Sequence, residues 1–272
     1  MNYSQSVAIV TGASSGIGRQ IALDLAARGA RVVPVARRGE LLAELARQCA
    51  GLGAEVEPLV GDLADRAFVA RIVPRTLERF GRLDLLVNNA GIPKHKQIFD
   101  VTALDVERTL GVNFVAPALL TLDALRPMLR QGGGWLVNVS SAAGRMPPPR
   151  ETIYAASKYA LTGFSEGLAL DLDGSNIHPI VLHVGPIDTE IWEKAASEAP
   201  VRFRGKKFPP SAISEAMFQC IEKGLYEATV PRSLWWAFLF KLLLPGPFRK
   251  GGARWDPVSR EVIEAARRSA RG

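Results

Sequence analysis

The sequence predicts an α/β fold: one doubly wound domain with a mostly seven-stranded parallel sheet, followed by a C-terminal hydrophobic and basic helical extension. Through about residue 185, short β-branched runs alternate with longer amphipathic stretches, which is the rhythm of βαβ units. Several of these runs are nearly continuous apolar segments, as expected for strands covered on both faces. Hydrophobic residues make up 47% of the 272 residues and charged residues 22%, which allows a sizeable core around one sheet.

The predicted elements follow from this alternation in chain order. The strands are Val7–Thr11, Arg31–Ala36, Glu55–Val60, Leu83–Asn88, Gly134–Ser140 and Ile177–Val184, with a short last strand near Thr229–Val230. The helices are Gly16–Arg28, Arg38–Leu52, Asp65–Phe80, Val112–Arg130, Thr152–Leu172 and Ser211–Tyr226. Beyond the sixth strand, a loop is expected around Pro200, the basic stretch Arg202–Lys207, and the pair Pro209 and Pro210. We expect one domain over residues 1–232 and the extension over residues 233–272.

The formal net charge of +7 and the pI near 9.7 fit binding to nucleic acid, to an anionic membrane or to a phosphorylated ligand. No zinc-finger or aromatic-and-basic RNA motif occurs, so nucleic-acid binding is not expected. The two cysteines, Cys49 and Cys220, form no CxxC pair, which argues against a disulfide framework and a zinc site. The N-terminus lacks the features of a secretory signal, so we expect a cytoplasmic protein.

A glycine-rich loop, Thr11–Gly18, follows the first strand and opens the first helix. In that context glycines permit a tight turn and close backbone approach, and the helix N-terminus attracts a pyrophosphate. The loop predicts dinucleotide binding through Gly12, Ser14, Ser15, Gly16, Ile17 and Gly18. Taken singly, the motif is also compatible with a turn that merely needs glycine.

The end of the second strand indicates which dinucleotide is bound. Roughly 20 residues after such a loop, NAD-binding folds place Asp or Glu against the adenosine ribose. Here Arg37 and Arg38 take that place, and their guanidinium groups suit a 2′-phosphate. NADP(H) is therefore favoured over NAD(H), with a solvated helix start as the alternative interpretation of the two arginines.

Tyr154 and Lys158 are four residues apart on a predicted helix, so they share one face with an offset of about 40° and about 6 Å. An ammonium close to a phenol lowers the phenol pKa from about 10 and makes it a usable proton donor and acceptor. By itself this spacing occurs often by chance.

The motifs together are more specific. In chain order they are Thr11–Gly18, Asp62-Leu63, Asn88–Gly91, Asn113, Ser140-Ser141 and Tyr154 with Lys158. In this order and spacing the sequence resembles the short-chain dehydrogenase/reductase family over about residues 5–190. The resemblance implies a Rossmann fold and an NADP(H)-dependent oxidoreductase, a carbonyl reductase or alcohol dehydrogenase that transfers a hydride between nicotinamide C4 and a ketone, aldehyde or alcohol.

The resemblance also implies catalytic roles. Tyr154 is the general acid/base, and Lys158 holds the nicotinamide ribose and lowers the tyrosine pKa. Ser141 orients the substrate oxygen, because most relatives place this serine thirteen residues before the tyrosine; Ser140 is then structural. Asn113 interrupts its helix so that a backbone carbonyl holds a water joined to Lys158. No metal is needed.

For the cofactor, the resemblance implies three further groups of contacts. Asp62 and Leu63 lie at the adenine; Asn89, Ala90 and Gly91 lie beside its ribose; Ile187 and Thr189 meet the nicotinamide carboxamide. One departure is His183-Val184-Gly185-Pro186, where relatives usually carry Pro-Gly. His183 is expected to be a packing or hydrogen-bonding group rather than a substrate contact, and His95 and His178 are expected even less to contact substrate.

Family members close the segment after the sixth strand over the substrate, here a lid at about residues 188–212. Ile191, Trp192 and Phe203 favour a lipophilic substrate such as a fatty, isoprenoid or steroid-like molecule. The family habit also implies a homodimer or homotetramer paired through the helices at Val112–Arg130 and Thr152–Leu172. A rival interpretation, a catalytically silent NADP(H)-sensing regulatory protein, has no need to keep all four catalytic residues together.

In the extension, ten of the eleven residues from Leu234 to Leu244 are apolar. As a helix they reach about 16 Å, too short to span a bilayer, which needs about 20 residues. The run either packs on its own domain or a partner subunit, or lies at a membrane interface with Lys241, Arg249 and Lys250 facing headgroups. Peripheral membrane contact would then involve residues 234–250.

Overall fold

The computed structural model describes residues 1–196, 205–255 and 260–269, and its centre is a seven-stranded sheet whose neighbouring strands all run parallel. The strands are β1 (Val7–Thr11), β2 (Arg31–Ala36), β3 (Leu59–Val60), β4 (Leu85–Asn88), β5 (Gly134–Val139), β6 (Ile177–Val184) and β7 (Glu227–Val230). Their order across the sheet is β3-β2-β1-β4-β5-β6-β7. The predicted fold class is confirmed.

The helices of the described residues cover the sheet and continue beyond it. They are α1 (Gly16–Ala27), α2 (Gly39–Gly51), α3 (Arg66–Phe80), α4 (Ala103–Leu110), α5 (Ala116–Arg130), α6 (Thr152–Asp171), α7 (Ile191–Ala196), α8 (Ser211–Lys223), α9 (Leu234–Leu243), α10 (Pro245–Trp255) and α11 (Arg260–Ser269). The helices α9 to α11 form the extension. Of the predicted lid, Pro200, Phe203 and the first part of the basic stretch lie outside the described residues.

Several elements differ from prediction, and α7 was not predicted as a helix. The third strand is shorter, because Pro58 has no N–H to donate to the ladder; Val56 makes only an isolated bridge with Val32. The helix α4 was not predicted, although Thr102 and Asp105 form a reciprocal capping box at its start. The helix expected from Val112, α5, begins at Ala116, and a π-helical turn at Gly111–Val115 joins it to α4.

The two faces of the sheet bury separate apolar clusters. One cluster packs α1, α2 and α8 against the strands, with Ile21, Leu42 and Met217 in its interior. The other packs α3 and α5 on the opposite face, with Ile72 and Leu120 in its interior. Burial on both faces explains the continuous apolar runs in the strands and fixes the register in which the strand ends meet.

Candidate active site

A cavity of about 790 Å³ opens at the carboxyl ends of the strands, where the strand order reverses between β1 and β4. Loops diverge at such a switch point and leave a ligand-binding crevice. Every residue predicted to bind the cofactor lines this cavity except Gly18, and Ser141 lines it as well. Asn113 does not line it but hydrogen-bonds to Ile92, which does. The sequence motifs therefore meet at one place.

The glycine loop joins β1 to α1 at one end of the cavity. Gly12 has a φ of +66°, and a Cβ there would lie 2.8 Å from the Cα of Ala90. A Cβ at Gly18 would lie 2.5 Å from the Asn89 amide nitrogen, so Gly18 permits close packing behind the loop rather than ligand contact. Ser15 makes no side-chain cap, which leaves the first-turn amides of α1 available to an anionic group.

The loop is held against the end of β4 by Thr11. Its hydroxyl accepts hydrogen bonds from the backbone N–H groups of Asn89 (2.9 Å) and Ala90 (3.0 Å). The Asn89 side chain donates to the Thr11 carbonyl at 2.9 Å. These bonds fix the spacing between the two strand ends, and the crevice is therefore preformed.

Arg38 lies across the glycine loop at the cavity mouth. Its guanidinium donates to the Ser15 hydroxyl at 2.7 Å and to the Glu190 carboxylate at 2.8 Å. Arg37 is 3.7 Å from the Asp62 carboxylate. Both guanidinium groups are about half exposed, so they can reorient toward an anionic ligand. The contact with Glu190 was not predicted, since nothing in the spacing connects it to Arg38.

At the other end of the cavity, α6 carries Tyr154 and Lys158, and Ser141 follows β5. The Ser141 hydroxyl is close enough to the Tyr154 phenol to lower the pKa of that phenol. Lys158 is buried; its Nζ donates to the Val139 carbonyl at 2.9 Å and lies 6.0 Å from the centre of the Tyr154 ring. The three functional groups therefore share one region of the cavity wall.

The pKa values of this group differ from expectation. Burial raises the pKa of Tyr154 to about 12; the Ser141 hydroxyl opposes this shift and the charge of Glu151 adds to it. Burial lowers the pKa of Lys158 to about 8. The predicted lowering of the tyrosine pKa is wrong in direction, because desolvation of the phenol is the largest cause of the shift and Lys158 is not among its causes.

Ser140 and Asn113 hold the catalytic region in place. The Ser140 hydroxyl lies 2.8 Å from the Thr162 hydroxyl and donates to the Lys158 carbonyl at 3.2 Å, which ties β5 to α6. Asn113 lies inside the π-helical turn that joins α4 to α5, and its predicted part in a water-mediated link to Lys158 stays a prediction. Its amide accepts from the Ile92 N–H at 2.8 Å and donates to the Ile92 carbonyl at 3.0 Å.

The three histidines have different surroundings. His183 is buried outside the cavity wall, accepts from the Arg145 guanidinium at 3.0 Å and packs against Phe238, which agrees with the expected packing role. His178 packs against Trp135 near the amino ends of β6 and β5, away from the cavity. His95, given little weight from sequence, is buried in the cavity wall 3.5 Å from the Glu151 carboxylate.

The remaining wall is apolar and comes from three segments distant in sequence. The loop before α6 contributes Met146, α7 contributes Ile191 and Trp192, and α9 and α10 add Leu234 and Phe248. The Trp192 indole donates to the Ile187 carbonyl at 2.6 Å, which fixes the ring beside the predicted nicotinamide site. The contribution of α9 and α10 was not predicted. A Cβ at Gly185 would lie 2.7 Å from Leu234, so α9 rests directly on the loop after β6.

A dinucleotide crevice with a glycine loop at one end and serine, tyrosine and lysine at the other defines a nicotinamide-dependent oxidoreductase. The family model described as short chain dehydrogenase matches residues 6–200, and the chain belongs to this family. An uncharacterized oxidoreductase of Thermotoga maritima is 37% identical over 85% of this chain and 96% of its own.

Solved structures show the same fold with either cofactor. A short-chain dehydrogenase/reductase from Burkholderia phymatum in complex with NAD has a TM-score of 0.81 and 25% identity, covering 89% of this chain and 94% of its own. A short-chain dehydrogenase from Sphingobium yanoikuyae in complex with NADPH has a TM-score of 0.78 and 28% identity, covering 94% and 97%. Similarity of fold therefore leaves the choice of nicotinamide cofactor to the residues of this chain.

Proposed function

We propose that the protein is an NADPH-dependent carbonyl reductase that converts a lipophilic ketone or aldehyde to the alcohol. The observation that carries the proposal is that Tyr154, Ser141 and Lys158 line the same largely apolar cavity as the dinucleotide residues. With a pKa raised to about 12, the Tyr154 phenol is protonated at neutral pH, which is the form needed to protonate a reduced carbonyl oxygen.

The chain's own groups act on the carbonyl oxygen and the proton. A bound NADPH supplies the hydride that the carbonyl carbon receives. The Ser141 hydroxyl donates a hydrogen bond to the oxygen as negative charge develops on it, and Tyr154 transfers its proton there. An alkoxide is a much stronger base than a phenolate, so the transfer is downhill. Lys158, with a pKa of about 8, is mainly an ammonium at pH 7 and stabilises the tyrosinate left behind.

The preference for NADPH is supported by the charges at the cavity mouth. Arg37 and Arg38 both line the cavity near the end of β2, where the adenosine ribose of a dinucleotide lies. A guanidinium matches the geometry of a phosphate and attracts it by its positive charge. The Asp or Glu that NAD-binding folds carry at this place would repel the 2′-phosphate. Asp62 is within 3.7 Å of Arg37 and is expected to contact the adenine rather than the ribose.

The lipophilic substrate is supported by the wall that α7, α9 and α10 build beyond Tyr154. Ile191, Trp192, Leu234 and Phe248 present apolar surface to the cavity, where burial of a hydrocarbon tail gains about 25 cal/mol for each Å². Fatty, isoprenoid and steroid-like carbonyl compounds suit such a wall.

Self-association is part of the proposal. Leu122 and Leu129 on α5 and Leu170 on α6 are exposed large apolar side chains, and their burial would support a homodimer or homotetramer. Sedimentation velocity measures this state: a monomer at every concentration tested would contradict it.

The Tyr154→Phe variant tests the catalytic assignment. Turnover of a panel of lipophilic ketones, followed by NADPH absorbance, is expected to fall at least about 100-fold while NADPH binding stays near normal. Tyr226→Phe is the matched control, since it removes a phenol hydroxyl outside the cavity. Wild-type turnover in Tyr154→Phe would refute the proton-transfer role. An NADPH-binding wild type inactive on the whole panel would favour the cofactor-sensing alternative.

The double variant Arg37→Ala/Arg38→Ala tests the cofactor preference. The ratio of kcat/KM for NADPH to that for NADH is expected to fall at least about 10-fold, because each charge-assisted bond to a phosphate contributes about 1.5–3 kcal/mol. Arg71→Ala on α3, an exposed arginine outside the cavity, is the control. An unchanged ratio in the double variant would contradict the assignment.

A further inference from the structure

The outward side of α9 is an unusually apolar surface for a helix on a folded domain. Trp236 is 69% exposed, Leu242 is 76% exposed and Leu243 is 67% exposed. No residue of α9 is buried. We call Trp235, Trp236, Leu242, Leu243 and Leu244 the α9 surface. Folded domains seldom leave an apolar patch of this kind without a binding role.

The opposite side of α9 is fixed to the domain, so the α9 surface cannot turn inward. Leu234 and Ala237 line the cavity, and the Phe238 ring packs edge-on against His183 at 6.1 Å. The Lys241 ammonium hydrogen-bonds to the Arg145 carbonyl and the Tyr159 hydroxyl. The helix is therefore held with one face on the active site and the other toward solvent.

The segment that carries the α9 surface has charge of one sign. From Ala228 to Trp255 the sequence contains five basic residues and no acidic residue. The basic residues are Arg232, Lys241, Arg249, Lys250 and Arg254, and all except Lys241 are exposed. A positive rim around an apolar centre complements a surface that is negative outside and apolar beneath.

We propose that the α9 surface docks the protein on an anionic membrane, with α9 lying in the plane of the headgroups. Tryptophan side chains favour the interface, the leucines enter the acyl boundary and the basic side chains meet lipid phosphates. A second copy fits less well, because a twofold contact through this surface brings two positive rims together. The ten residues of α9 span about 15 Å, half of a hydrocarbon core, so the helix lies on the bilayer.

Among the described residues, one helical stretch, Ala103–Arg130, is long and apolar enough by composition to cross a membrane. Its apolar residues include Leu120, Ala124 and Met128, which are fully buried against the sheet. This stretch is therefore a core helix, and membrane contact is assigned to the α9 surface.

Docking at this position affects how substrate arrives, a consequence that rests on the proposed function. The helices α9 and α10 also form the apolar wall of the cavity through Leu234 and Phe248. The cavity wall and the membrane-facing surface thus lie on two sides of α9. A lipophilic carbonyl compound dissolved in the bilayer can then enter the cavity without crossing bulk water.

Vesicle flotation with the full chain tests the proposal. The wild type is expected to float with phosphatidylcholine–phosphatidylserine vesicles and much less with phosphatidylcholine alone, and added salt is expected to weaken binding. In Trp236→Glu/Leu242→Glu/Leu243→Glu, partitioning is expected to fall at least about 10-fold. Leu41→Glu/Leu52→Glu/Leu104→Glu is the matched control; these three exposed leucines lie on or beside α2 and α4.

The outcomes separate docking from catalysis. Failure of the wild type to float with anionic vesicles, or equal flotation of the α9 variant, would overturn the proposal. A change of oligomeric state in the α9 variant with unchanged flotation would assign the surface to a second copy instead. The mutated residues do not line the cavity, so the variant is expected to keep wild-type activity on a water-soluble ketone. Flotation of a wild type that reduces no carbonyl compound would refute the proposed function and leave the docking proposal standing.

Discussion

The burial of Lys158 allows a quantitative prediction about stability. The side chain is 4% exposed, and burial lowers its pKa from 10.5 to about 8. In the unfolded chain the same group is hydrated and keeps its usual pKa, so holding it charged in the folded state costs about 3 kcal/mol at pH 7. The residue that stabilises the tyrosinate therefore destabilises the fold.

Lys158→Met removes the charge and keeps a side chain of similar length. The variant also loses the hydrogen bond from Nζ to the Val139 carbonyl, which contributes about 1 kcal/mol. We therefore expect the free energy of unfolding at pH 7 to rise by about 2 kcal/mol, while turnover of a ketone by NADPH is lost. Urea unfolding at pH 7 measures the first effect and NADPH absorbance the second.

The pH dependence isolates the charge from packing. Because the folded-state pKa is lowered, the folded chain binds fewer protons than the unfolded chain between about pH 8 and 10.5, and wild-type stability rises with pH there. The stability difference between the variant and the wild type should narrow by about 2 kcal/mol from about pH 7 to 9.5. Lys223→Met, which changes an exposed lysine on α8, controls for general effects of pH. A difference that stays constant with pH, or a variant less stable than wild type at pH 7, would refute the reasoning.

Two further predictions concern the same cavity. Ser141→Ala is expected to lower kcat/KM about 100-fold and Ser140→Ala to leave it nearly unchanged, because Ser141 acts on the Tyr154 phenol whereas the Ser140 hydroxyl is bonded to Thr162 and to the Lys158 carbonyl. Each variant also loses a side-chain hydrogen bond worth about 1 kcal/mol of stability, the one from Ala143 N–H to Ser141 or the one between Ser140 and Thr162. Reversed effects on kcat/KM would exchange the two roles. Glu190→Gln removes the carboxylate that is bonded to Arg38, and an ion pair this exposed is worth at most about 1 kcal/mol. Because Arg38 is then free to bind the 2′-phosphate, the affinity for NADPH is expected to rise about two- to fivefold. The affinity for NADH, which has no 2′-phosphate, is expected to rise less. Fluorescence titration at low salt measures both affinities, and an equal gain for the two cofactors would show that Glu190 does not compete for Arg38.

The order of strands and helices could be predicted because the signal for it is local. A strand buried on both faces, such as Ile177–Val184, is visible as an apolar run, and its predicted bounds match the structure. The glycine loop and the Tyr154 and Lys158 pair were predictable for the same reason. Their function requires residue types at short, fixed spacings.

The rest of the site depends on contacts between distant residues. The bond from Arg38 to Glu190 joins residues 152 apart, and the bond from Lys241 to Arg145 joins residues 96 apart. Contacts between such distant residues leave no periodic pattern in the sequence. The part of the cavity wall that α9 forms was therefore not predicted. The direction of the Tyr154 pKa shift was missed because spacing gives the distance to a neighbouring charge, whereas burial arises from the whole fold.

Gly185 connects the extension to the loop on which the nicotinamide site is built. A Cβ at this position would lie 2.7 Å from the Leu234 side chain and 3.0 Å from the Val230 carbonyl oxygen, so any other residue here would displace the Leu234 side chain that α9 places on the loop. A larger residue at position 185 would therefore need a compensating change at Leu234. Grafting α9 onto a relative that carries a bulkier residue at the equivalent position would displace either the new helix or the loop that receives the cofactor.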